Sequence, residues 1–463
     1  MGGSESPSDR QQAEYLFLLR SHHARPAEAF SKHVSKSENQ SLRWWIVEDA
    51  LRDRKGHWVE YLQTFQRGLS AEGDQVRFFA SKECVPDVAQ AFNANPILPK
   101  SIWARMSDGA PKWRRLVRIP AHGLATYRAV SRMLDECSVP YAPLRSVGAM
   151  SLKASSKVPG DRTLPDLIFV PTVLMHHLVG WIPLIKWRLR NLPCRVLLFF
   201  PNAPVDLNED GTAHLLPDPT AKLFKFCIRC LAKEAASGKV IFGAETQPMA
   251  KALSEVTGVR FTYLPHPVEL SETQAPAAPE EPITFACYGA ARYEKGSDVL
   301  QAAIRQVLET NPEVPACFVF QWPEDFADEE GRLVRLDTWL HSQPKVQILR
   351  NLFPEGGYER ELRATDVMIL PYRNAYRLRV SRVVIEAINL GMPVIATRGT
   401  TLMAQAEKFG AAVACEEGSV DDLAQAILAA INDFSRLRAS ARVKAEASRL
   451  HFSVGTFRAG LLP

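Results

Sequence analysis

Along most of the chain, short apolar runs alternate with amphipathic stretches. The first run covers residues 44–47, and a polar loop occupies 48–55. After Gly56, His57 and Trp58, the apolar residues Val59, Leu62, Phe65 and Leu69 recur at three- and four-residue intervals, which predicts a helix. Gly73 stops that helix, and residues 76–80 form a second strand. Further strands are predicted at 167–170, 196–200, 240–242 and 261–264. A later series falls at 283–288, 317–320, 346–349, 367–370 and 394–396. Strand, helix, strand repeats from the start, so the sheets should be parallel and doubly wound. The segment 245–253 reads as a helix with Pro248 in its first turn. The Pro- and Ala-rich stretch 271–282 reads as a linker between two such halves.

The densest pattern lies between Asp366 and Thr401. The run 367–370 is a buried strand that Pro371 ends. Ser381 suits a helix N-cap, Gly391 the left-handed residue after a helix, and Pro393 prevents the helix from resuming. A βαβ unit of this kind aims the amino end of its helix at the crevice beyond the strand ends. Unpaired N–H groups can hold an anion there. Glu386 lies about one and a half turns inside the helix, within reach of a sugar hydroxyl beside such an anion. It also shares a helical face with Arg382 and Asn389, so a plain surface ion pair is the competing reading.

The segment Val384-Ile-Glu386-Ala-Ile-Asn-Leu-Gly391-Met-Pro-Val-Ile-Ala-Thr397 resembles the donor-nucleotide site of family 4 glycosyltransferases, which have the GT-B fold. The resemblance implies that Glu386 holds the ribose hydroxyls of a sugar nucleotide. A first glutamate, eight positions earlier in the family, would contact the transferred sugar; Leu378 stands there instead. The stretch Tyr376-Arg377-Leu378-Arg379-Val380-Ser381-Arg382 is closer to a subgroup with a basic Tyr-Arg-x-Arg-x-Ser loop, although Arg382 replaces a usual glycine. By that resemblance Arg379, Ser381, Arg382 and Val383 would face the donor diphosphate, with a solvated basic loop as the alternative.

Directly after the linker comes Phe285-Ala-Cys-Tyr-Gly289-Ala-Ala-Arg292-Tyr-Glu-Lys295-Gly296. A strand that ends in glycine lets a ligand approach the backbone, and Arg292 and Lys295 can bind a diphosphate by fork and point charge. The same residues also fit a solvated turn. The family carries a Gly-Arg…Lys-Gly pattern here, which implies the diphosphate role for Gly289, Arg292 and Lys295.

In the first half, Gly56 opens the first helix, where it would allow close approach of a phosphate. Gly56-His57-x3-Tyr61 resembles a motif of the same subgroup. His57 is the catalytic candidate, to polarise an acceptor hydroxyl or touch the diphosphate; a helix-capping histidine is the equal alternative. Glu48 and Asp49 end the first strand and border this acceptor-side cleft. His122, His176 and His177 are further cleft histidines, for which packing is the simpler reading. No Asp-x-Asp pattern stands at a strand end, so nothing in the sequence calls for a metal.

With 463 residues the chain exceeds one ordinary core, and two domains of roughly 200 residues each are expected. Hydrophobic residues make up 46% and charged residues 23%, a globular balance. A formal charge of +5 suits an anionic ligand or membrane surface but falls short of a nucleic-acid signature. Eight scattered cysteines fit a reducing compartment. Cys227 and Cys230 form a C-x2-C with no second pair, too few ligands for a structural zinc. No stretch reaches the length of a signal h-region or a membrane span, so a cytoplasmic protein is expected. Basic-aromatic stretches at 113–118, 181–190 and 222–229 would allow peripheral contact with the inner face of a membrane. Ordinary amphipathic packing is the alternative reading of those stretches.

These readings combine into an α/β protein of the GT-B class, with two Rossmann-like doubly wound parallel-sheet domains facing across a cleft. Residues 1–40 are an N-terminal extension, 41–270 the acceptor-side domain, 271–282 the linker, 283–435 the donor nucleotide-binding domain, and 436–463 a helix returning to the first domain. The expected activity is transfer of a sugar from a nucleotide-diphosphate sugar to a hydroxyl of a glycan, polysaccharide precursor or lipid-linked acceptor. Retention, no metal and no further cofactor are expected. A GT-B nucleotide-binding protein without turnover is the rival reading. A dinucleotide-dependent dehydrogenase is disfavoured, because neither half opens with G-x-G-x-x-G.

Overall fold

The computed structural model describes residues 41–54, 58–102, 113–138, 164–270, 282–351, 353 and 357–462. Seven parallel strands make the first sheet: β1 (Arg43–Glu48), β2 (Gln75–Ser81), β3 (Asn95–Leu98), β4 (Leu167–Val170), β5 (Arg195–Phe200), β8 (Val240–Ala244) and β9 (Phe261–Tyr263). A short antiparallel hairpin, β6 (Val205–Leu207) with β7 (Ala213–Leu215), interrupts the series. Their order in the sheet is β3-β2-β1-β4-β5-β8-β9. The second sheet contains β10 (Ile283–Cys287), β11 (Ala316–Gln321), β14 (Val346–Leu349), β15 (Val367–Leu370), β16 (Val394–Thr397) and β17 (Ala412–Cys415), in the order β14-β11-β10-β15-β16-β17. A second hairpin, β12 (Phe326–Ala327) with β13 (Leu333–Val334), sits between β11 and β14. Every pairing within the two large sheets is parallel.

The strand sequences explain this layering. The runs Leu167–Val170, Val367–Leu370 and Val394–Thr397 are buried along their whole length, as expected for strands covered by helices on both faces. The helix Trp58–Ala71 presents Val59, Leu62, Phe65 and Leu69 to the first sheet, as their spacing predicts. Gly73 and Gly391 adopt left-handed φ values of 81° and 70° after their helices. The 271–281 part of the expected linker lies outside the described residues, as do Gly56 and His57.

Chain direction fixes where ligands can enter. In each sheet the winding reverses once, between β1 and β4 in the first and between β10 and β15 in the second. Crevices form at the carboxyl ends of strands at such reversals. Glu48 and Asp49 stand at the first reversal, and Gly289 to Lys295 at the second.

The end of the chain ties the two halves together. Helix Phe434–His451 packs Leu437 and Ala441 into the second half's core, while Val454, Phe457 and Leu461 belong to the first half's core. Phe457 lies 4.9 Å from Phe65 and 5.7 Å from Phe199, ring centre to ring centre. Arg458 forks onto Asp74 at 2.7 and 3.0 Å, and Asp74 also accepts from the Trp44 indole and the Leu42 N–H, each at 2.8 Å. No helix among the described residues is long and apolar enough to cross a membrane.

Candidate functional site

The carboxyl edge of the second sheet collects cations around an open backbone turn. Strand β10 runs into Gly289, whose φ of +95° is strained for any residue with a side chain. Its N–H donates to Oε1 of Gln321 at the end of β11, which fixes the turn. Lys295 folds back over this glycine, so that a β-carbon there would stand 2.3 Å from Nζ. Gly296 is equally constrained, because a β-carbon would lie 2.0 Å from the carbonyl oxygen of Pro371. The short turn Tyr293–Lys295 is therefore pressed against the end of β15.

Lys295 carries the clearest signal. Its ammonium stands 5.7 Å from the centre of the buried Tyr372 ring and has no carboxylate within salt-bridge distance among the described residues. Burial pushes its pKa below the ordinary lysine value. Glu294 offsets this only in part, and a desolvated cation so placed gains from an arriving anion. The Tyr372 hydroxyl is buried beside it, with the Ser381 side chain as its polar neighbour. Arg292 is exposed, its nearest acid being Glu294 at 3.6 Å.

Across this turn lies the helix Arg382–Asn389. Ser381 takes its N-cap position but makes no capping bond with its side chain, a departure from the sequence expectation; its hydroxyl lies toward Tyr372 instead. Burial raises the Tyr376 hydroxyl, whereas Arg379 and Arg292 both pull it down, so these two cations from different loops act on one ring. The Arg379 side chain is exposed and has no ion-pair partner among the described residues. Val383 is half-buried in the first turn of the helix. Gly289, Lys295 and Ser381 thus meet around the Tyr372 ring, 4.6 Å from the Tyr376 ring on which Arg292 and Arg379 act.

Glu386 and Arg382 behave differently. Glu386 is 1% exposed, and burial raises its pKa despite the opposing effects of Arg382 and Tyr358. Tyr358 donates to Oε2, and Nε of Arg382 donates to Oε1 at 2.7 Å. The i,i+4 pair foreseen from spacing is present, but in a buried setting rather than on a wet surface. Nη1 of Arg382 reaches Oε2 of Glu60 in the first half at 2.8 Å. Leu378, where the family's first glutamate would stand, is 5% exposed and packs into the first half's core, and its carbonyl accepts from the Thr246 hydroxyl.

At the reversal of the first sheet, Glu48 and Asp49 are buried rather than bordering solvent. Burial and the neighbouring Asp49 charge push Glu48 up to about 8. One of its oxygens accepts from the Ala50 N–H at 2.9 Å, and the other has no hydrogen-bond partner. Asp49 is also pushed up by burial, but His177 and His122 hold it below the ordinary carboxylate range. Nε2 of His177 lies 3.3 Å, and that of His122 3.4 Å, from Asp49. These three residues have the types and proximity of a metal set. The Leu174 N–H, however, donates to Nδ1 of His177 at 3.0 Å, which leaves the neutral ring's proton on Nε2, facing Asp49. His177 is thus a clamp on Asp49, not a free metal ligand.

Sequence reasoning missed Tyr358, Tyr372, Gln321 and Thr246, because each is joined to the site by folding over long sequence distances. A cavity of about 280 Å³ lies apart from the diphosphate candidates, lined by Thr284, Cys317, Lys345, Gln347 and Glu361 among others.

Comparison with known proteins agrees with this layout. Residues 282–433 match the sequence model of the family described as glycosyl transferases group 1. No curated protein matches the sequence significantly. Among solved structures, a glycosyltransferase from Rickettsia africae has a TM-score of 0.58 at 13% identity, covering 91% of this chain and 97% of that one. Sucrose-phosphate synthase from Thermosynechococcus elongatus gives 0.56 at 13%, with 91% and 96% covered. Anabaena HepE in complex with UDP gives 0.56 at 13%, with 90% and 98% covered. The chain therefore has the GT-B fold, two Rossmann-like parallel-sheet halves.

Proposed function

We propose that the protein is a glycosyltransferase that takes a sugar from a nucleotide-diphosphate sugar and delivers it to an acceptor hydroxyl. The observation that carries this reading is Lys295: a half-buried ammonium without an ion-pair partner among the described residues, over an open glycine turn, at the winding reversal of a half that matches group 1 glycosyltransferases. Gly289, Arg292, Lys295, Arg379 and Ser381 would hold the diphosphate, aided by Val383 and the N–H groups at the start of its helix. Arg382 can join them only by leaving Glu386. Glu386 would hold the ribose.

In this reading the bond between the anomeric carbon and the diphosphate breaks, and its electron pair leaves with the phosphate oxygen. The acceptor oxygen bonds to that carbon, on the same face if the reaction is retaining, and its proton passes to the leaving oxygen. The chain supplies alignment and positive charge, with no metal or further cofactor. The first half would be the acceptor side, with Gly56 and His57 on the cleft, the buried Glu48 and Asp49 behind it, and His57 as the group that meets the acceptor.

The acceptor class is a glycan, a polysaccharide precursor or a lipid-linked sugar, in the cytoplasm. Peripheral membrane contact is supported by Trp187 and Phe226, 74% and 64% exposed, beside the basic residues Lys222, Lys225 and Arg190. Sedimentation with anionic but not neutral vesicles at low salt tests that attachment. The rival reading, nucleotide binding without turnover, draws on Leu378 being used as an anchor in the first half rather than as a sugar contact. Assays of UDP-, GDP-, ADP- and CDP-sugars with mixed acceptors separate the two: release of nucleoside diphosphate that depends on acceptor supports transfer, and tight binding without release supports the rival.

A further inference from the structure

Both oxygens of the Glu386 carboxylate are engaged, and the side chain is shut off from solvent. Tyr358 holds one, and Arg382 the other at 2.7 Å, with 1% of the residue exposed. Each oxygen keeps a lone pair, but at this burial a ribose diol reaches the carboxylate only when one of the covering partners moves aside. Tyr358 is anchored within an aromatic cluster, its ring 5.7 Å from Tyr288 and 5.6 Å from Phe353. Arg382 is the movable partner, and its guanidinium is shared. Nη1 bonds Glu60 at 2.8 Å while Nε bonds Glu386, so the bond to Glu60 holds the planar group in place over Glu386.

Glu60 lies on the first helix of the other half, with its side chain 59% exposed. The bridge therefore also straps one half to the other. Beside it, Leu378 is seated in the first half's core and bonded through its carbonyl to Thr246.

We propose that Glu60 is a positioning residue for donor binding: acting through Arg382, it keeps Glu386 occupied until a ribose displaces the guanidinium. This inference rests on the reading of Glu386 as the ribose carboxylate. Donor binding then breaks a contact between the halves, and by linkage a closed strap weakens donor affinity. The freed guanidinium lies at the start of the Arg382–Asn389 helix, where it can meet diphosphate charge.

The test measures dissociation constants by calorimetry for Glu60→Gln and Glu386→Gln. The probe is whichever of UDP, GDP, ADP and CDP raises the melting temperature most, together with its 2′,3′-dideoxy analogue. Glu60→Gln should tighten the ribonucleotide by about two- to fivefold, the range of one partly exposed ion pair, and leave the dideoxy analogue unchanged. Glu386→Gln should weaken the ribonucleotide. If Glu60→Gln has no effect or weakens binding while Glu386→Gln also weakens it, the strap is wrong and the ribose reading stands. If Glu386→Gln leaves the ribonucleotide unchanged, the ribose reading fails and the strap with it. The exposed Glu60 makes its variant safe to fold, so the ribose and dideoxy comparison decides the matter even if Glu386→Gln is unstable.

Discussion

The ammonium of Lys295 occupies the space that a side chain on Gly289 would fill, 2.3 Å from where a β-carbon would stand. One residue gives up its side chain so that another can bring a charge to the backbone. Replacing Gly289 with Ala should both strain a φ of +95° and displace the ammonium. The expected loss of stability is about 1–2 kcal/mol, with a larger loss of nucleoside diphosphate binding. Paired urea melts and binding titrations check the difference.

Lys295→Met removes the charge and keeps the bulk. Burial lowers the pKa of Lys295, so protonation favours the unfolded chain, and this penalty applies at every pH below the depressed value. The variant should therefore melt at the same or a higher temperature than wild type at pH 7. Diphosphate affinity should fall by about 10- to 100-fold, as for loss of a charged hydrogen bond. A destabilised variant with normal affinity would assign Lys295 to packing.

Much of the architecture is legible in the sequence because apolar runs and glycines act locally. The strand positions at 44–47, 167–170, 367–370 and 394–396, the stop at Gly391 and the Arg382–Glu386 spacing follow from periodicity alone. Strands β3 and β17 are not picked out. Residues 95–98 contain Asn and Pro, and residues 412–415, Ala-Val-Ala-Cys, hold a single β-branched residue in a short run. The site was only half legible. Gly289, Arg292 and Lys295 lie close together in sequence, whereas Tyr358 and Thr246 reach Glu386 and Leu378 over 28 and 132 residues. Leu378 was marked as a missing glutamate, but its seat in the other half's core depends on tertiary contacts that no local pattern encodes.

Glu48 provides a pH test. Its pKa rises from 4.5 in the unfolded chain to about 8 in the fold, so the folded state holds the proton more tightly. Stability from this group is complete below about pH 4.5 and is lost progressively as pH rises to 8. Glu48→Gln should be near neutral at pH 4.5 and should exceed wild type in melting temperature by a margin that grows up to about pH 8 and then levels off. A margin that does not change with pH would contradict the burial argument.

Asp74 anchors the returning end of the chain. Its carboxylate satisfies Arg458, the Trp44 indole and the Leu42 N–H at once, with the Asp74 side chain fully buried. Asp74→Ala strips a buried guanidinium of its carboxylate and should cost about 3–5 kcal/mol. The shift in urea midpoint checks this, and a change below about 1 kcal/mol would place the pair among ordinary surface bridges.

The central claim is that the carboxyl edge of the second sheet binds the diphosphate of a nucleotide sugar. Calorimetric titration of wild type and the double variant Arg292→Ala/Lys295→Met with UDP, GDP, ADP and CDP tests it directly. One nucleotide should bind wild type with a stoichiometry near one, and the double variant should lose that binding while melting cooperatively. Equal affinity in both proteins, or no binding of any nucleoside diphosphate to wild type, would contradict the claim.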